Sequence, residues 1–234
     1  MTSASRAGRR LLAAVLLGGV ATTVAACAHP AGRLAAARTS VVQRSVTPWG
    51  GVSSSADHAR VAALTAMRTL HSYAFSSTAR LGSGRTTVQG RALLPTNLTY
   101  TIATTATRTE VTRLGNVAYA RSRSGPWKKL TRPAPANPPL HSLLAALTAA
   151  RAVAIDSGGQ QLTATLNGHD AAVAGLVTNG NVIGPVSVGF RLDAHHHVTV
   201  FTLTATLSAS GHGLPLSERT DYSAFNAAAP ITAP

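Results

Sequence analysis

The sequence predicts an α+β fold in which helices lie on one face of an antiparallel sheet. Three observations predict it. Val61, Leu64, Met67 and Leu70, with Ala63 and Ala66, recur at helical spacing. From His71 the apolar period changes to two and stays there for about sixty residues. Turn signals at Gly82-Ser83-Gly84, Pro95-Thr96-Asn97 and Gly115-Asn116 cut that stretch into short runs. Strands this short and this closely linked can pair only as an antiparallel meander, because a parallel pair needs a long crossover.

Ahead of these elements stands a segment with the order of an export signal. Arg6, Arg9 and Arg10 supply a positive start, Leu11 to Val20 an apolar run, and small residues lead to Cys27, the one cysteine of the chain. The order Val24-Ala25-Ala26-Cys27 resembles the bacterial lipobox. That resemblance implies a diacylglycerol joined to the Cys27 sulfur, cleavage just before it, and acylation of the new N-terminus, palmitate being the expected chain. The alternatives are an ordinary secretory peptide cut at an A-x-A-like site, or a retained transmembrane helix. Leu11 to Ala26 has 16 residues, short of the ~20 needed to span a bilayer. Two or three acyl chains would hold the protein stably on a membrane, where one is marginal. The expected organisation is therefore a signal peptide over 1–26, a tether over 27–54 and a single domain over 55–234. The tether is rich in Ala, Gly, Ser, Arg and Pro and has no sustained period.

The first helix should start near Ser54, with Asp57 three residues on completing a capping box. Strands are expected at Tyr73 to Leu81, Thr86 to Leu94, Leu98 to Thr105, Thr109 to Leu114 and Val117 to Arg121. A proline-rich break follows, and Asn137 as N-cap with Pro138 at the first position opens a second helix. Its leucines at 140, 143, 144 and 147 form an apolar stripe, which either packs on a core or walls an apolar ligand cavity. Strands resume at Gln161 to Leu166, a short helix is possible over Asp170 to Val177, and alternation returns at Pro185 to Asp193, Val198 to Leu207 and Leu216 to Tyr222.

Composition narrows the function. The chain has 21 basic and 7 acidic residues, with Lys128 and Lys129 the only lysines. Ten basic residues between Arg80 and Arg132 face Glu110 alone. On an exported chain such charge suits anionic lipid headgroups or a solvated sheet face; nucleic acid is not an expected partner. No G-x-S-x-G, Walker A, H-E-x-x-H or C-x-x-C motif is present, so no catalytic residues are assigned and the chain is read as a non-enzyme without cofactor. His195-His196-His197 could be a metal tract, but neighbours on a strand point to opposite faces, and a solvated hairpin tip is the preferred reading with no metal. Asn97-Leu98-Thr99 matches a glycosylation sequon, which means little on a bacterial lipoprotein. Aromatic residues number only 10 of 234, and many inward strand positions are Ala, Thr or Gly. A sheet lined with small groups either packs closely on a helix or leaves a space.

Taken together the pattern resembles the actinobacterial LppX/LprG lipoproteins, which are similar in fold to the lipoprotein carrier LolA. The residues that carry the resemblance are Cys27, Leu70-His71-Ser72-Tyr73-Ala74-Phe75, Val88-Gln89-Gly90, Val117-Ala118-Tyr119 with Trp127-Lys128-Lys129, the helix from Pro138 to Leu147, and Asp221-Tyr222-Ser223-Ala224-Phe225 before the Pro230 to Pro234 tail. Asn226 departs from it, standing where such tails often have Gly. The resemblance implies a half-open antiparallel barrel whose concave side is closed by helices around a cavity for acyl chains. The implied role is a lipoprotein anchored on the extracytoplasmic face of the cell membrane that carries acyl-chain lipids or glycolipids across the envelope, as a monomer, with an envelope transport protein as a possible partner. The competing reading is a sensor or scaffold of the same fold that binds a partner protein. Cavity candidates, chosen by the face they occupy, are Tyr73, Phe75, Leu143, Leu144, Leu147, Phe190, Phe201 and Leu203.

Overall fold

The computed structural model describes residues 54–131, 138–151, 153–177, 182–209, 212–227 and 229–234. Cys27, the signal segment, most of the tether and the expected N-cap Asn137 lie outside them. Three helices are described, α1 (Ser54–Arg68), α2 (Pro138–Ala149) and α3 (Gly168–Val173). None of them is long and apolar enough to cross a membrane.

Eleven strands form one antiparallel sheet: β1 (Ser72–Leu81), β2 (Gly84–Leu93), β3 (Asn97–Thr104), β4 (Arg108–Leu114), β5 (Val117–Ser122), β6 (Lys128–Lys129), β7 (Val153–Ile155), β8 (Gln161–Leu166), β9 (Val182–Leu192), β10 (Val198–Ala209) and β11 (His212–Ser223). Their order is β6-β5-β4-β3-β2-β1-β11-β10-β9-β8-β7. Two meanders therefore join where the first strand pairs with the last, at Ala74↔Ser223 through Leu81↔Leu216. The sheet curves without closing, its two short strands β6 and β7 at opposite edges. The fold is α+β, as the sequence predicts.

Period-two alternation sorts each strand into two faces. On β1, Tyr73, Phe75, Ser77, Ala79 and Leu81 are buried; on β11, Leu216, Thr220 and Tyr222 are. This inner face and the helices share one core, in which Phe190 and Phe201 stack with centroids 5.6 Å apart and Tyr73 meets Tyr222 at 5.8 Å. Gly90 is required on that face. A Cβ there would stand 2.6 Å from Tyr100 Cβ and would also strike the Thr99 carbonyl oxygen, so only glycine lets β3 lie this close at the pair Gly90↔Tyr100.

α1 buries Ala56, Ala63 and Met67, with Ala59 and Leu64 partly buried beside them. The stripe is rotated from the expected one: Val61 is half-exposed at 50%. Alanines make up most of the buried face, on a helix that packs against both α2 and β7. On α2, Leu140, Leu143, Ala146 and Leu147 are buried, while Leu144 is only partly so.

Both ends of α2 are fastened. The Tyr222 hydroxyl donates to the Pro139 carbonyl at 2.8 Å, and the Leu140 backbone bonds the Tyr73 hydroxyl. Burial, the larger influence, pushes the Tyr73 phenol well above its usual range in spite of that bond. At the other end Arg60 Nη1 donates to the Leu147 carbonyl at 3.0 Å. The departure at Asn226 also has a local cause. Its φ of 58° lies in the left-handed region that glycine favours and asparagine tolerates, and its side-chain oxygen accepts the His71 N–H at 2.7 Å.

Candidate ligand-binding site

A narrow cavity of about 40 Å³ lies between the inner sheet face and the helices. Phe75, Val88, Leu98, Tyr100, Ile102, Phe201 and Leu203 line it from the strands, and Pro139, Ser142, Gly175 and Leu176 from the helical side. By volume it takes roughly three waters. Tyr100 belongs to this wall with a phenol raised to about 12, burial outweighing the nearby Arg113 guanidinium.

One patch of the lining is polar. Ser77, Glu218 and Thr220 share the inner face, with Thr220 directly across from Ser77 and Glu218 across from Ala79. Ser77 Oγ donates to Glu218 Oε1 at 3.3 Å, and Thr220 Oγ1 donates to Ser77 Oγ at 3.0 Å and approaches the same Oε1 at 3.3 Å. Burial raises the Glu218 carboxyl above its ordinary value, and the bonds from Ser77 and Thr220 offset this only in part. Farther along the same row, the buried Thr86 Oγ1 has no partner among the described residues. The sequence pattern carried no sign of this cluster, because a glutamate two residues from a threonine on a strand reads as solvated.

Of the eight cavity candidates, Phe75, Phe201 and Leu203 line the cavity. Tyr73, Leu143, Leu147 and Phe190 are fully buried in the core beside it. Leu144 does neither. It lines a separate surface groove of about 710 Å³ with Arg68, His141, Ala145, Arg151 and the exposed Val173. The 100° step of a helix explains the split: residue 144 follows 143 directly and cannot share its face.

The basic run between Arg80 and Arg132 is partly neutralised within the fold. Arg121 Nη2 and Arg108 Nε both pair with Glu110, the latter at 3.8 Å, and the Arg121 guanidinium lies 4.8 Å from the Trp127 ring centre. Arg121 Nε bonds Glu110 Oε2 at 2.8 Å. Arg113 is buried, with Nε donating to the Gly115 carbonyl at 2.8 Å.

The histidine tract forms a tight turn organised by a carboxylate. Asp193 Oδ1 accepts the N–H groups of His195 and His197, and Asp193 Oδ2 lies 3.1 Å from His197 Nδ1. Burial works to raise the Asp193 carboxyl, yet these bonds together hold it below its ordinary value. The His197 ring stacks on Phe225 at 4.7 Å. Among the described residues no group of three or more His, Cys, Asp or Glu is placed to hold a metal ion.

No family model matches the chain, and no curated protein matches it. Among the solved structures similar to it are LppX and LprF. LppX from Mycobacterium tuberculosis shares 14% identity at a TM-score of 0.43, over 75% of this chain and 97% of that one. LprF from Mycobacterium bovis shares 13% identity at a TM-score of 0.47, over 76% of this chain and 95% of that one. The first of the two is described as a lipoprotein.

Proposed function

We propose that this chain is a lipoprotein, anchored through acylated Cys27 to the extracytoplasmic face of the cell membrane, that binds acyl-chain lipids or glycolipids and carries them across the envelope. The observation that carries the reading is the apolar cavity between α2 and the curved sheet, walled by Phe75, Val88, Leu98, Ile102, Phe201 and Leu203. Burying an acyl chain there would gain ~0.8 kcal/mol per CH2. At about 40 Å³ the cavity admits only the tip of such a chain, so full entry requires α2 to lift from the sheet. That narrowness is also what supports the second reading, a scaffold of the same fold whose filled interior holds nothing.

Native mass spectrometry of the protein purified from membranes separates the two. The carrier reading expects noncovalent lipid adducts above the mass of the acylated chain. A protein that carries only its covalent anchor sinks that reading in favour of the scaffold. The anchor is tested separately: Cys27→Ala should abolish incorporation of labelled fatty acid, and continued N-terminal labelling would remove Cys27 from the proposal.

A further inference from the structure

We infer that Glu218, held by Ser77 and Thr220, forms a polar subsite that accepts a hydrogen bond from a hydroxyl group of the apolar ligand; this rests on the lipid-binding reading above. The cavity wall is apolar on most sides, and among the described residues Glu218 is the one carboxylate of the lining. A carboxylate on an inner sheet face is costly unless it is hydrogen-bonded. Ser77 donates to Oε1, with the Thr220 hydroxyl behind it at 3.3 Å from the same oxygen. Oε2 has no protein donor among the described residues, and Glu218 enters no ion pair there. An ionised carboxylate has about four acceptor positions across its two oxygens, so the cluster leaves acceptor capacity on the cavity side.

The ligand chemistry follows from what the lining lacks. Among the described residues no Lys, Arg or His lines the cavity, so none of them would balance an anionic headgroup, and a carboxylate ligand would meet Glu218 as a like charge. A neutral donor has no such penalty, and a hydroxyl is the commonest neutral donor on an otherwise apolar molecule. Ser142 of α2 faces the same space and can accept or donate to the same hydroxyl. Its position on the helix and that of Glu218 on the sheet let a bound hydroxyl bridge roof and floor, so the polar contact would also report whether α2 is closed over the ligand.

The test uses the full chain in membranes and a photoreactive, diazirine-bearing 16-carbon alcohol, with labelled peptides read by mass spectrometry. Unlabelled 1-hexadecanol and hexadecyl methyl ether compete for the site; the two have nearly the same apolar chain, and only the alcohol donates a hydrogen bond. Losing a bond to a buried acceptor should make the ether weaker by about tenfold or more. In Glu218→Leu the ratio should fall to about one, and in Glu218→Gln, which keeps an acceptor oxygen of similar shape, it should stay above one. Thermal melts confirm that both variants fold, and if Glu218→Leu does not, the Glu218→Gln and parent ratios alone decide. Labelling of cavity peptides with equal competition by alcohol and ether in the parent overturns the subsite while leaving lipid binding intact. A preference that survives in Glu218→Leu also overturns it. Absence of any labelling on β1, β11 or α2 removes the lipid-binding reading itself, and the subsite with it.

Discussion

Arg60 Nη1 donates to the Leu147 carbonyl at 3.0 Å, which ties α1 to the last turn of α2 across 87 residues of sequence. A helix ends with carbonyls that no intrahelical N–H can reach, and the negative end of its dipole sits there. Arg60 answers both needs. Its Nε also approaches Asp57 at 3.4 Å, which keeps the guanidinium in place.

Arg60→Met keeps most of the aliphatic stem and removes the donor. The expected loss is about 1.5–2 kcal/mol, at the lower end of the range for hydrogen bonds to charged groups. For a domain of this size each kcal/mol lowers Tm by roughly 2–4 °C. A circular dichroism melt that shows no fall would mean that α2 is held by its leucines alone.

Gly90 makes a sharper prediction, because a methyl group there would meet backbone. With Tyr100 Cβ at 2.6 Å from the added atom, relief requires β2 and β3 to move apart around the pair Gly90↔Tyr100. Gly90→Ala should cost about 1–3 kcal/mol or more by overpacking. Hydrogen exchange should accelerate first in Arg91 and Thr99, the neighbouring pair on that ladder. Uniform exchange rates in parent and variant would show that the sheet absorbs the methyl elsewhere.

The strands were the most legible part of the chain. Alternating runs such as Val186, Val188, Phe190 and Leu192 fixed both the element and its buried face, and β8 matches its expected bounds at Gln161 and Leu166. The edges were less so. β6 is two lysines and β7 three residues, too short for any period to show. α1 was found but its face was rotated, since Val61 is the larger apolar residue and yet the alanines pack, a choice made by what the helix lies on and invisible in the helix itself. At the site, Phe75, Phe201 and Leu203 could be placed by face. Glu218 could not, because a glutamate on a strand reads as solvated, and what encloses it lies on other elements: the register with β1 sets it beside Ser77, and the cavity wall includes Ser142 of α2.

The separation of Leu144 from Ile102 gives a test of where the ligand goes. Leu144 lines the outer groove and Ile102 the cavity. Ile102 is partly exposed, so Ile102→Trp can fill cavity space with less strain than a change at a fully packed position. Ile102→Trp should lower lipid adducts in native mass spectra severalfold, with a Tm on delipidated protein near that of the parent. Leu144→Trp should leave the adducts in place. The opposite pattern would put the ligand in the groove between α2 and α3.

Glu218 also gives the fold a pH dependence with a definite sign. Burial raises its carboxyl above the ordinary 4.5, with the Ser77 and Thr220 bonds acting the other way. Tyr222, on the same strand and inner face, is a titratable neighbour whose phenol burial pushes up, with Tyr73 and then Glu218 adding to it. A carboxyl whose value is raised on folding binds its proton more tightly in the native state, so its contribution is fully present below the unfolded value and is lost as pH rises through the folded one. Glu218→Gln has no proton to lose. Its Tm relative to the parent should therefore climb as pH rises from about 4 to neutrality, while the gap at the acid end stays small. Asp193 acts in the opposite sense, since its carboxyl is held below the ordinary value, and its contribution is lost as pH falls; comparing the variant with the parent at each pH cancels it. A Glu218→Gln difference that is flat with pH, or that shrinks toward neutrality, would mean that Glu218 is as well solvated in the fold as in the unfolded chain, and the cavity floor would then be open to water.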